Sequence, residues 1–338
     1  MLKKDIIDNK YFFFFSDCII VKGEKRSIIC DLTRNKFQLI PNDLYSFIEW
    51  SNKKLGKQII KKYIKYLPIV QEYLQFLEKH EFFFWGDKHD LNRFPLLKTE
   101  FNQAFLISNS IIEINLDKFE IYKKTISEIV KNGVKVFQIR FYNTVNYEQL
   151  IALFEIFSNS IVNHIELCFP FNQEITINQL ETLLDENKRI KSIFIHNTPI
   201  EKIQILQKHV KCNISFTENE IKNSKDYITK KPVNFIINHE FFFESQEHNT
   251  YYNKKLCIDY DGDIKNSPEI NKSFGKIENF NFENIANNIE FQKLWHVSKN
   301  KIEICKNCEF RYVCFDTREP KLTENGLYFM PEPCKHKQ

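Results

Sequence analysis

Between Ala104 and Phe243 the chain alternates apolar extended runs with amphipathic ones, and this rhythm restricts the fold more than any other feature. The runs Ala104–Asn115, Val134–Phe141, Asn163–Phe169, Ile190–His196, Cys212–Phe216 and Val233–Phe243 predict strands. Tyr122–Lys131, Tyr147–Asn159, Ile177–Asn187 and Ile200–His209, lying between them, predict helices. Mostly apolar strands joined by helical crossovers call for a parallel sheet and an α/β fold. Six strands fall short of a closed eight-stranded barrel, so an open or partial barrel is expected.

The flanking regions read differently. Tyr11–Phe15, Cys18–Val21 and Ser27–Asp31 are β-type runs, Lys22-Gly23-Glu24-Lys25 is a hairpin turn, and Phe37–Ile40 adds an extended piece. Pro41-Asn42-Asp43 opens a helix over Leu44–Trp50. Helical patterns follow at Ile59–Tyr66 and Ile69–His80, the latter with Val70, Tyr73, Leu74 and Leu77 on one face, and Glu81–Trp85 returns as a strand. This small sheet with helices resembles a winged-helix fold. Phe94-Pro95-Leu96 ends it, so the expected division is 1–95, a barrel-like 96–245, and 246–338. In the last part periodicity fades. Asp259-Tyr260-Asp261-Gly262-Asp263 is a turn signal and lacks the glycine position and acceptor Glu of a calcium loop. Ile285–Trp295 is a candidate helix.

A length of 338 residues suits two or three domains. A net charge of +4, spread along the chain, leaves no nucleic-acid footprint. Met1–Lys10 is charged, Tyr11–Phe15 is too short for a secretory core, and no apolar run approaches the roughly 20 residues of a membrane helix. The expectation is a cytoplasmic protein with no membrane or nucleic-acid partner. In that reducing setting nine cysteines favour metal ligation or free thiols over disulfides. Cys18, Cys30, Cys168 and Cys212 stand singly among apolar residues and read as small buried side chains.

The remaining thiols are concentrated in the tail. Cys305, Cys308 and Cys314 form a C-x2-C-x5-C array, and Cys334 follows after nineteen residues. Thiolates donate strongly to soft and borderline metals, and a C-x2-C turn presents two sulfurs to one centre. Four cysteines suit a tetrathiolate zinc or a four-iron cluster, and ligand count alone does not choose between them. Cys257 is either an extra thiol of a second site or a plain strand residue. His164, His196, His239-Glu240 and His248 fall near strand ends, where barrel sites form, but without metal-type spacing. Glu309 and Arg311 read as a surface pair.

These residues carry a resemblance. Cys257-x4-Gly262, Phe274-Gly275-Lys276-Ile277, Trp295, the C-x2-C-x5-C array and Cys334 together resemble a SPASM domain, the C-terminal extension of radical SAM enzymes that modify ribosomally made peptides. The resemblance implies that Cys305, Cys308, Cys314 and Cys334 hold one auxiliary-type [4Fe–4S] cluster, with Zn2+ as the alternative. It also implies that a second cluster is lost, because Ser267 and Arg318 stand where further cysteines are expected. The middle region resembles a degenerate radical SAM partial (β/α)6 barrel. Its first strand and following loop, Ile111 to Glu120, lack the CxxxCxxC motif that binds the S-adenosylmethionine cluster, so conventional radical SAM chemistry is not expected. The phrase from Cys305 to Arg318 is most similar to the SPASM protein of the grasp-with-SPASM maturation system. That similarity implies a maturation factor for a ribosomally synthesised peptide, with the precursor and an ATP-grasp ligase as partners. The N-terminal unit would bind leader peptide by strand addition, with Ser27–Asp31 as the candidate edge. Two alternatives stand beside this: an iron–sulfur redox or radical peptide-modifying enzyme, and a zinc-stapled interaction protein.

Overall fold

The computed structural model describes residues 9–95, 97–199, 202–206, 212–228, 234–332 and 334, with 202–206 described by backbone alone. The chain opens with strands β1 (Tyr11–Phe14), β2 (Cys18–Lys22), β3 (Ser27–Asp31) and β4 (Lys36–Ile40). Helices α1 (Asn42–Ser51), α2 (Gly56–Lys62) and α3 (Leu67–Lys79) and strand β5 (Phe83–Gly86) follow. The middle runs β6 (Asn109–Ile114), α4 (Phe119–Lys131), β7 (Val136–Phe141), α5 (Tyr147–Phe154), β8 (His164–Pro170), α6 (Ile177–Glu186), β9 (Ile190–His196), β10 (Lys202–Leu206), β11 (Cys212–Phe216) and α7 (Ser224–Ile228). Then come β12 (Asn234–Phe235), α8 (His239–Glu247), β13 (Lys255–Ile258), β14 (Ile264–Lys265), α9 (Phe282–Ala286) and α10 (Ile289–Gln292). Three two-residue strands close the chain: β15 (Cys314–Phe315), β16 (Lys321–Leu322) and β17 (Tyr328–Phe329).

The chain forms two compact units. The first comprises Met1–Asn102, Val233–Thr250 and Val297–Gln338, and the second Gln103–Pro232 and Tyr251–His296. This division runs across the sequence boundaries near 95 and 245. Residues 251–296 go with the parallel sheet because β13 hydrogen-bonds alongside β6. The cysteine tail goes with the N-terminal residues because Phe310 and Val313 share a core with Val21, Ile28, Cys30 and Leu32.

The second unit holds a mostly parallel sheet in the order β10-β11-β9-β8-β7-β6-β13-β14. Neighbours from β11 to β13 run parallel, while β10 and β14 pair antiparallel at the margins. The expected helix Ile200–His209 is corrected: residues 202–206 form β10, and the rest of that stretch lies outside the described residues. Its Glu, Lys and Gln favour helix, yet Lys202-Ile203-Gln204-Ile205 also alternates with a period of two, and pairing with β11 decides the outcome. The expected strand Val233–Phe243 is corrected as well. Only Asn234–Phe235 is extended; Asn238 then caps α8 by accepting from the Phe241 N–H at 2.8 Å.

The first unit is built on the antiparallel sheet β2-β3-β4, with β1 paired to β5. Alternation along β3 sends Ile29 into a core with Phe47, Leu74 and Leu77 of the helices, and Ile28 and Cys30 into one with Phe242, Phe310 and Val313. Both sheet faces are therefore covered. Every residue of Ser27–Asp31 is buried and the strand is central, which corrects its expected role as a binding edge; the outer strands are β2 and β4.

Candidate metal centre

Cys305, Cys308, Cys314 and Cys334 all lie in the first unit, each partly buried, whereas Cys257 lies in the second and is fully buried in β13. Local turns position the first three. The Cys305 N–H donates to Ile302 O at 2.9 Å, the Cys308 N–H to Cys305 O at 2.9 Å, and the Cys314 N–H to Phe310 O at 2.9 Å. Cys314 then enters β15, opposite Phe235 of β12. The hairpin β16–β17 returns the chain, and the Glu303 N–H donates to Tyr328 O at 2.9 Å.

The C-x2-C loop is clamped on the β2–β3 turn. The Glu24 N–H donates to Asn307 O at 3.0 Å, Arg26 pairs with Glu309 at 2.7 Å, and the Arg311 guanidinium donates to Lys22 O at 2.6 Å. Glu309 and Arg311 thus turn toward the N-terminal sheet, which corrects the expectation that they pair with each other. Gly23 is required here because a Cβ would sit 2.9 Å from both the Glu309 Cβ and backbone nitrogen. Phe310 anchors the loop, stacked on Phe235 at 4.5 Å and edge-on to Phe37 at 5.4 Å. The Arg26–Glu309 pair is exposed and worth only about 0.2–1 kcal/mol. Burying Phe310 contributes several times that, by about 3–5 kcal/mol on truncation.

Beside the thiols sits a buried ionic group. Asp316 accepts from Lys299 Nζ at 2.9 Å and from Arg318 Nε at 2.9 Å. Burial alone would raise the Asp316 carboxyl; Arg318 and Lys299 hold it well below the usual carboxylate range. Burial pushes the Cys305 thiol up to about 11 and the Cys314 thiol to about 12, opposed by Lys299 and reinforced by Asp316 and neighbouring thiols. A bound cation reverses that balance, because a coordinating thiol is deprotonated outright. Among the described residues, the trio of ligand atoms within 4.8 Å of one another is Asp87, His89 and Asp90, not the thiols. Those carboxylates are already committed: Asp87 pairs with Lys10 at 2.7 Å, and Asp90 accepts from the Asp87 N–H at 2.8 Å.

The second unit holds a polar cluster that sequence reasoning missed. Register places Ile112, Ile139, Leu167 and Ile193 on one sheet face, and Glu113, Gln138, Arg140, Glu166 and Cys168 on the other. Phe157 packs edge-on against Phe137 of the apolar face at 5.2 Å. On the polar face, Glu113 accepts from Arg140 at 3.0 Å, from the Tyr142 hydroxyl at 2.6 Å and from Ser224. Arg140 also donates to Gln138 and lies 4.0 Å from the Tyr227 ring centroid; Gln138 donates to Glu166 and Tyr227 at 2.6 and 3.0 Å. Burial and the Glu113 carboxylate hold the Tyr142 phenol far above its ordinary range, so it remains a donor. The available signal was the polar residue at alternate positions of otherwise apolar strands, as in Ile111-Ile112-Glu113-Ile114 and Phe137-Gln138-Ile139-Arg140.

The other candidates do not converge. Cys257 is pushed up by burial and by Glu113, and Ser267 is buried against Tyr251 and Glu269. His196 is buried in the second unit; His239 pairs with Asp17 at 2.9 Å in the first. The turn after β6 carries Asn115, whose side chain accepts from the Asp117 N–H at 2.9 Å. Among the described residues, no helix is long and apolar enough to cross a membrane.

No protein-family model and no curated protein matches the chain. Among solved structures it is similar to Streptococcus suis SuiB, crystallised by itself, bound to S-adenosylmethionine and bound to precursor peptide SuiA. Each match has a TM-score of 0.31 and 11% identity, covering 90% of this chain and 94% of the other. At that score the likeness decides neither fold nor chemistry.

Proposed function

We propose that this chain is a maturation factor for a ribosomally synthesised, post-translationally modified peptide. It binds the precursor and acts with a partner ATP-grasp ligase, and its four tail cysteines hold one auxiliary-type [4Fe–4S] cluster. The observation that carries this reading is the clamp. The cysteine loop and the three-stranded sheet form one unit, joined at Glu24–Asn307, Arg26–Glu309 and Lys22–Arg311, so a metal-stapled module serves a small sheet whose outer strand β4 pairs with no further strand among the described residues. The precursor adds as a strand along β4, where Lys36 and Leu39 are exposed, with main-chain bonds for affinity and side-chain pockets for specificity. The turn after β6, with Asn115 and Asp117 rather than cysteines, supports a role without radical initiation in the parallel sheet.

The donor set fits the cluster. Four half-buried thiols of one kind can satisfy one another poorly, and all four are soft ligands. A tetrahedral zinc with bonds of about 2.3 Å holds its sulfurs roughly 3.8 Å apart. When bound, the cluster supplies a staple and an electron-transfer centre.

Anaerobic purification of the full chain with iron, sulfide and zinc analysis tests the centre. About four irons and four sulfides per chain, with brown colour, are expected. A colourless protein with one zinc per chain would replace the cluster with a zinc clasp. Titration with the short peptides encoded near an ATP-grasp partner tests the adaptor role. Binding that Lys36→Glu and Leu39→Asp weaken is expected. Failure of every such peptide to bind, with or without the ligase, would remove it.

A further inference from the structure

Lys299, Asp316 and Arg318 are placed where ordinary packing would avoid charge. The Lys299 and Asp316 side chains are 9% and 3% exposed. Asp316 serves Lys299 with one oxygen at 2.9 Å and also receives the Arg318 guanidinium at 2.9 and 2.8 Å. Two cations share one carboxylate, so the group carries a net charge of +1. A buried ion pair gains little over apolar residues of the same shape, and a surplus buried charge costs more. The surplus suits an anion, which the thiols become when they coordinate a metal. Asp316 stands two residues beyond Cys314, and the Lys299 carbonyl accepts from the Ile302 N–H at 3.3 Å in the turn that leads to Cys305, so Lys299 and Arg318 lie within electrostatic reach of the thiols. Arg318 also reaches the last ligand through the backbone, donating to Glu332 O at 2.6 Å, two residues before Cys334. Its position is one where the resembled pattern has a cysteine.

We infer that Lys299 and Arg318, bridged by Asp316, are positioning residues that supply a built-in counter-charge to the four-cysteine centre, with Arg318 also fixing the arm that carries Cys334. This rests on the reading of Cys305, Cys308, Cys314 and Cys334 as a metal centre. Four thiolates around a divalent ion, or around a four-iron core of charge about +2, leave about −2 on the assembly. The +1 group offsets half of that. It favours the reduced, more negative state of a cluster.

The test compares full-length wild type, Lys299→Met, Arg318→Met and Arg318→Lys, each checked for native circular dichroism. Metal release to a chelator is followed in all four, and the midpoint potential wherever iron is bound. Arg318→Met and Lys299→Met are expected to release metal about 10–100-fold faster, as loss of an outer partner does elsewhere. Both should also shift the potential downward, while Arg318→Lys, which keeps the charge but not the planar fork, recovers most of the potential and part of the retention. Wild-type release and potential in both methionine variants would overturn the inference, as would equal behaviour of Arg318→Lys and Arg318→Met. Wild type that binds neither iron nor zinc would instead overturn the underlying reading of the cysteines. Should Arg318→Met fail to fold, Lys299→Met carries the same comparison, because Asp316 keeps Arg318 as partner.

Discussion

The two units each contain a dense polar cluster, and the clusters differ in kind. Around Glu113 and Arg140 the groups are complementary: carboxylate meets guanidinium, amide meets carboxylate, phenol and hydroxyl donate to Glu113. Such a network pairs its members with one another and specifies a packed interior. Around Cys305 the groups are alike: four thiols with a cationic group beside them. Four thiols have no complement in one another, whereas the carboxylate, guanidinium, amide and hydroxyl groups have already found each other. Chemical density alone therefore does not mark a functional site; the mismatch between donors and acceptors does.

The sharpest break of this comparison is in the second unit. Arg140→Met leaves Glu113 buried without its cation and should cost about 3–5 kcal/mol in urea unfolding, whereas Arg140→Met combined with Glu113→Leu should recover most of it. A double variant no better than the single one would mean that Tyr142 and Ser224, left without their acceptor, cost as much as the unpaired carboxylate. In the first unit, Phe310→Ala should cost about 3–5 kcal/mol by the same measurement, and should also speed metal loss because the cysteine loop loses its anchor. Gly23→Ala forces the β2–β3 turn away from Glu309 and should cost about 1–3 kcal/mol, read as faster hydrogen exchange of the Glu24 amide while that of β6 stays unchanged.

The smallest effect concerns His196. Its Nδ1 accepts from the Ile221 N–H at 3.3 Å, which leaves Nε2 to donate to Phe141 O at 3.3 Å, and burial lowers its basicity below the ordinary 6.5. The unfolded chain therefore takes up this proton first as pH falls. The stabilisation is complete above pH 6.5 and declines below it, toward the depressed folded value. Unfolding across that window should show a slope that His196→Asn removes, and an unchanged slope in the variant would assign the pH dependence elsewhere.

Much of this was legible in the sequence. The spacing of Cys305, Cys308 and Cys314 marked a local turn, because neighbouring residues set it and the backbone bonds at Cys308 and Cys314 are short-range. The strands β6 to β9 and helices α4 to α6 were readable because periodicity and burial agree along them. Two elements misled. Lys202–Leu206 became a strand through its partner β11, which local propensity does not contain. The phenylalanines of Phe241–Phe243 looked extended, but the Asn238 cap makes them helical. The partners of Glu309 and Arg311 lie in the first thirty residues of a 338-residue chain, beyond any window of periodicity.

The sequence by itself determined the chemistry available: four soft ligands in the tail, an α/β rhythm in the middle and no cysteine triplet after the first parallel strand. Only the tertiary structure decided where those residues sit and what they touch. It seated the cysteine loop on the N-terminal sheet and placed Lys299 and Arg318 beside the thiols. It also separated Cys257 from them by unit. The physical reason is range. Turns and amphipathic faces are set by residues a few positions apart, whereas the clamp, the counter-charge and the Glu113 network depend on burial of distant segments against one another. That burial gives Asp316 its two cations and Gly23 its necessity.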